Sequence, residues 1–190
     1  VIPNACECVI ATNSKISDYL AEFTKSNVLD SDKGLKITAE KAEKADKCLN
    51  DKSTADVVKF LSHFKSGVMA MSQNIPGLVE SSQNLGIANI SGGYFNAVMS
   101  VRSSVKPEKQ RLLDGIRELA AHYGAELNIH GDYPAWEYRE NSRLRNKMTE
   151  VYEKMYGRKP TVETVHAGLE CGLLGEKIAG FDAVSLGPDM

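Results

Sequence analysis

Apolar and polar positions along the chain fall into stretches of helical period and stretches of period two. Ile16, Tyr19, Leu20 and Phe23 recur at helical spacing behind Asn13, a good capping residue, and predict a first helix. Val57, Phe60, Leu61, Phe64 and Val68 form a second stripe, with Ser53 as its cap and Asp56 favouring the N-terminal end. Leu112, Ile116, Leu119 and Tyr123 form a third, opened by Pro107 and closed by Gly124. Leu144, Met148, Val151 and Met155 form a fourth, starting at Asn141 or Ser142 and ending before Gly157. Residues 5–11, 35–39, 83–90, 94–104, 126–130, 161–165 and 182–186 read as strands. Ser91-Gly92-Gly93, between two of them, is a hairpin signal. After that turn Phe95, Ala97, Met99 and Val101 share one face, while Asn96, Val98, Ser100, Arg102 and Ser104 share the other. Arg102 is therefore expected on the polar face of a sheet that is greasy on its back.

Helices and strands in mixed order, with a hairpin among them, predict an α+β fold: an antiparallel sheet with helices on one face. The run from Gly131 to Trp136 breaks both periodicities and carries Gly and Pro, so the domain boundary is expected there. Residues 1–136 then form one domain and 137–190 a second piece. That second piece reads helix, strand, turn, strand, which is part of an α/β sheet. Its roughly 50 residues are too few for a full core of their own.

A hydrophobic content of 42% and a charged content of 25% are ordinary for a globular chain. The net charge of −2 gives no global pull toward nucleic acid or an anionic membrane. No apolar run approaches the roughly 20 residues that a membrane-spanning helix needs. The first residue is Val1 rather than Met, and the expectation is a piece of a longer polypeptide. Cys6, Cys8, Cys48 and Cys171 lack the density of a disulfide scaffold and contain no C-x-x-C pair. A reducing cytoplasm suits them best.

Candidate chemistry gathers where residues 162–165 run into a turn-prone segment holding His166, Gly168, Glu170, Cys171 and Gly172. A strand followed by such a turn puts polar groups at the end of a sheet, where α/β proteins bind ligands. The same residues also read as a satisfied histidine, a capping glutamate and a buried thiol. A Cys171 thiol with His166 as its base is a further reading, though no orienting Asn or Asp is evident. His63 lies beside the second stripe and reads as a boundary residue. The four histidines, His63, His122, His130 and His166, include no H-x-D or H-E-x-x-H arrangement. A non-catalytic α+β binding or dimerisation module, working through an exposed sheet edge, is the alternative of a different class.

Several strings together are specific. TVHAGLECGLL at 164–174, followed by IAGFDAVSLGPDM at 178–190, closely resembles the aminoacyl-histidine (Xaa-His) dipeptidases of the PepD type. So do SSQNLGIANI at 81–90, VMSVRSSV at 98–105 and GDYPAWEYRENSRLRNKM at 131–148. The opening VIPNACECVIAT is similar to a lid strand of that family, less its first two residues. The resemblance implies a metal-dependent exopeptidase of the cytoplasm, dimeric, in which a lid is inserted into a catalytic domain. On that basis residues 1–136 are lid and dimerisation domain and 137–190 a fragment of the catalytic domain. The implied reaction is attack on a dipeptide carbonyl by a metal-bound hydroxide, with zinc the expected divalent metal. The metal ligands and catalytic carboxylates are implied to lie outside this chain, which is then expected to hold no metal and to be inactive alone. Arg102 matches the lid arginine that binds substrate, and Gly168 matches a glycine that contacts substrate, with His166 beside it. Glycine suits such a contact, because a missing side chain lets backbone approach a peptide closely.

Overall fold

The computed structural model describes residues 3–27, 34–43, 45–164 and 170–187. The chain divides into two units, residues 4–55 and residues 56–190 with the first three, and the division falls within a helix.

The smaller unit holds α1, Ile16–Asn27, at the predicted place. Its stripe residues Tyr19 and Phe23 are exposed. The strands expected over 5–11 and 35–39 do not form; the described residues there make no ladder. Helix α2, Asp51–His63, begins earlier than expected. Asn50 rather than Ser53 is at its N-terminus, where the Oδ1 of Asn50 accepts the N–H of Ser53 at 2.8 Å.

In the larger unit the sheet has three antiparallel strands in the order β1-β2-β3: β1 Gly67–Met71, β2 Val79–Ser91 and β3 Tyr94–Ser103. Strand β1 was not expected, because Val68 had continued the helical stripe of α2. The chain leaves helical geometry at Gly67, whose φ of 118° few other residues tolerate, and Val68 pairs with Ser82 of β2 instead. The β2–β3 hairpin turns through Gly92 and Gly93, with φ of 61° and 82°. Two positive φ values make the turn whose twist matches a hairpin, and glycine adopts both without strain. Between Leu85 and Ile87 the register slips by one residue, leaving Gly86 as a bulge.

Helix α3, Lys106–His122, packs on β2 and β3 and carries Pro107 in its first turn. It buries Leu112, Ile116 and Ala120. Phe60 and Phe64, from the end of α2, complete the core. The Phe60 ring meets Phe95 edge-on at 5.4 Å and Tyr123 at 5.8 Å. Burying each large aliphatic or aromatic side chain of this set is worth about 1.5–3 kcal/mol. The face of β3 holding Phe95, Ala97, Met99 and Val101 is therefore the covered one, as its alternation predicts.

Beyond α3, residues 125–130 are irregular, so the strand expected over 126–130 does not form. Helix α4, Arg143–Tyr156, matches its prediction at both ends. Ser142 caps it, accepting the Arg145 N–H at 3.0 Å, and Gly157 closes it with φ of 66°. Its stripe is not buried: Leu144 and Val151 are exposed and Met155 is 68% exposed. Residues 161–164 and 181–187 are not strands; of the segment expected over 161–165, Val165 lies outside the described residues. Where a turn was expected, Glu170–Lys177 is a helix, α5. The α+β class stands, with its sheet confined to β1, β2 and β3 among the described residues.

Candidate functional site

The hairpin determines what stands beside Arg102. Cross-strand partners share a face, and Arg102 pairs with Ser82, while Ser100 pairs with Asn84. These four side chains form a polar patch on the face opposite α3. The next pair toward the turn on that face is Ile87 with Val98, and then Asn89 with Asn96. Arg102 is exposed, and its guanidinium makes no ion pair or hydrogen bond among the described residues. An unengaged guanidinium offers a planar fork of donors that fits a carboxylate or another oxyanion.

The bulge at Gly86 was not foreseen, and it chooses these neighbours. Counting back from Gly92-Gly93 with no bulge would bring Gln83 opposite Arg102. The slipped register brings Ser82 there instead. Gln83 pairs with Val101, whose side chain is on the covered face, and the Nε2 of Gln83 donates to the Lys65 carbonyl at 2.6 Å. A glycine inside an alternating strand was the available signal.

Gly168 and His166 lie outside the described residues. Glu170 and Cys171 open α5, with Cys171 half-buried. Gly172, in α5, comes close to backbone elsewhere in the chain. A Cβ there would stand 2.8 Å from the Pro134 carbonyl oxygen and 3.3 Å from that of Ala135. Helix α5 thus lies against the segment that links α3 to α4. His63 is exposed and its Nδ1 lies 2.9 Å from the Tyr123 hydroxyl, which agrees with its reading as a boundary residue.

A concave region, about 250 Å³, lies between α3, the 132–135 segment and α5. Its charged groups are already paired. Lys106 binds Glu176 at 2.8 Å, and Lys109 binds Asp132 and the Tyr133 carbonyl. The Glu176 carboxylate holds the Lys106 ammonium above its ordinary value, first by the hydrogen bond and then by charge. Glu137 accepts the Lys106 backbone N–H at 3.3 Å, at the start of α3. These contacts fasten the linking segment to α3, and Arg102 is not among the residues that line the region. Among the described residues no three or more His, Cys, Asp or Glu side chains converge to hold a metal ion, so those residues do not fit a divalent-metal centre. No helix among them is long and apolar enough to cross a membrane.

A three-stranded antiparallel sheet, backed by a helix on one face and presenting an unengaged arginine on the other, is an α+β domain with a face suited to an anionic group. The proteins it is related to are dipeptidases. Cytosol non-specific dipeptidase of Escherichia coli (strain K12) is 27% identical over 184 residues, which are 97% of this chain and 38% of that protein. The crystal structure of aminoacylhistidine dipeptidase from Vibrio alginolyticus matches with a TM-score of 0.73 at 27% identity, over 84% of this chain and 32% of that one. The resemblance read from the motifs is borne out in sequence and in fold. No protein-family model matches the chain. It spans well under half the length of either relative.

Proposed function

We propose that this chain is the substrate-binding lid and part of the catalytic domain of a metal-dependent dipeptidase that hydrolyses Xaa-His dipeptides. Residues 1–136 are the lid and dimerisation domain, and 137–190 belong to the catalytic domain. Arg102 holds the terminal carboxylate of the dipeptide or the oxyanion that develops during its hydrolysis, and Gly168 and His166 contact the substrate from the catalytic side. The observation that carries this reading is the free guanidinium of Arg102 on an open, otherwise uncharged patch, in a chain related to two dipeptidases. The divalent metal, zinc by the resemblance, is held by other parts of the polypeptide. When bound it activates water, and this chain's own part is to bind and orient the dipeptide. A homodimer joined through an exposed sheet edge fits the edge strands β1 and β3. The cytoplasm is the expected location, as the name of the Escherichia coli relative has it.

The test is made in the complete polypeptide loaded with zinc or manganese. Arg102→Ala and Arg102→Lys should each lower kcat/KM toward Gly-His by about 100-fold, because lysine keeps the charge and loses the fork. The melting temperature should stay unchanged, since the position faces away from the core. Wild-type activity in Arg102→Ala removes the residue from the site, and a large fall in melting temperature makes it a structural tie. The isolated chain should show no turnover with added zinc; measurable hydrolysis by it would overturn the assignment of the metal site to other parts of the polypeptide.

A further inference from the structure

The thiols of Cys6 and Cys8 play no part in the site built around Arg102, and both are free and exposed. They stand one residue apart in a segment, 4–11, that belongs to no helix or ladder. Among the described residues, no hydrogen bond involves residues 4–11. Backbone geometry decides what two such thiols can do. In a strand, residues two apart point to one face but are separated by two rises, about 6.6–6.8 Å. A disulfide needs its Cβ atoms about 3.5–4.5 Å apart. A strand over 5–11 would therefore hold the two sulfurs apart, and only a bent backbone brings them together. With no ladder to break, this segment is able to bend. Exposure lets a dissolved oxidant reach both sulfurs. Cys48, although exposed, has no cysteine near it in sequence, and Cys171 is half-buried.

We propose that Cys6 and Cys8 form a reversible dithiol–disulfide couple, closed by a low-molecular-weight disulfide of the glutathione type. The thiolate of one cysteine attacks a sulfur of the small disulfide, forms a mixed disulfide and releases one small thiol. The thiolate of the other cysteine then attacks the protein sulfur of that mixed disulfide, and the second small thiol leaves. The two cysteines lose two electrons and two protons, and the small disulfide gains both as two thiols. The closed ring holds residues 5–11 out of strand geometry, and reduction frees them. A reducing cytoplasm keeps the couple open, and accumulation of the oxidised small disulfide closes it. Exposure leaves the bridge within reach of reduced glutathione, which marks a labile bridge rather than a structural one.

The experiment incubates the complete, folded polypeptide with oxidised glutathione, blocks the remaining thiols with N-ethylmaleimide and measures the masses of the tryptic peptides. Cys6 and Cys8 share one peptide, since the first Lys or Arg of this chain is Lys15. That peptide should lose the mass of two hydrogens and carry neither glutathione nor the blocking group. An excess of reduced glutathione should restore both thiols. Cys6→Ser should leave Cys8 holding one glutathione, and Cys8→Ser should leave Cys6 holding one. Glutathione on both cysteines of the wild type, two blocked thiols at every ratio of oxidised to reduced glutathione, or a bridge from either cysteine to Cys48 or Cys171 overturns the proposal. So does a bridge between Cys6 and Cys8 that reduced glutathione does not open.

Discussion

Helices α3 and α4 carry the same kind of apolar stripe and use it differently. Helix α3 sets Leu112, Ile116 and Ala120 against the sheet, where each is buried. Helix α4 buries none of its residues and leaves Leu144, Val151 and Met155 open. Polar contacts at its ends define α4 instead. Ser142 and Asp182 take the N–H groups of Arg145 and Leu144 at its start. Arg145 reaches back to the carbonyls of Arg139 and Glu140 and lies over the Tyr138 ring at 4.7 Å. A stripe thus says that a helix has an apolar side, while burial depends on a surface to receive it. For α3 that surface is a hairpin built from the residues just before it in the chain.

The largest effect should separate the two stripes directly. Leu112→Ala or Ile116→Ala should cost about 2–5 kcal/mol in urea unfolding, as large-to-small changes in a packed core do. Val151→Ala and Met155→Ala should stay within about 0.5 kcal/mol of wild type. Equal losses in α3 and α4 would break the contrast.

A smaller effect tests how α5 is seated on the linking segment. Gly172→Ala pushes a methyl group against the Pro134 carbonyl and should cost about 1–3 kcal/mol. Gly175→Ala, three residues on, meets only the Phe181 ring at 3.8 Å. It should be neutral or stabilise by up to about 1 kcal/mol through helix propensity. Equal behaviour of the two alanines in thermal melts would mean that α5 does not lie against residues 134 and 135.

The smallest effect concerns the polar start of α4. The Asp182 carboxyl is held below its ordinary value, first by the Leu144 backbone N–H, then by the Ser142 hydroxyl, with the Arg139 guanidinium adding to these. The folded state therefore binds this proton less readily than the unfolded chain. The stabilisation is complete above the ordinary carboxylate range and is lost as pH falls through the depressed folded value. Asp182→Asn should melt below wild type at pH 7, and the gap should close toward pH 3. A gap that stays constant or widens over that range would show that the ionised carboxylate is not what caps α4.

Helices α1 to α4, the Gly92-Gly93 turn and the two faces of β3 were legible in the residues, because each depends on neighbours a few positions away. Stripes at helical spacing, a serine before Arg143, a glycine after Tyr156 and two glycines between alternating runs are local instructions. The same holds for Arg102, which alternation alone placed on the polar face. Strands at 5–11, 35–39, 126–130 and 182–186 were read from the same kind of pattern and did not form. A strand needs hydrogen-bonding partners from elsewhere in the fold, and a period of two carries no information about whether they are present. The error at Val68 has the same origin: its apolar side chain suits a helix stripe as well as a strand, and pairing with Ser82 decides between them. The neighbours of Arg102 were likewise settled in three dimensions. One extra residue at Gly86 exchanges Gln83 and Leu85 for Ser82 and Asn84 on the open face, because every side chain past a slip of one residue moves to the other side of the sheet.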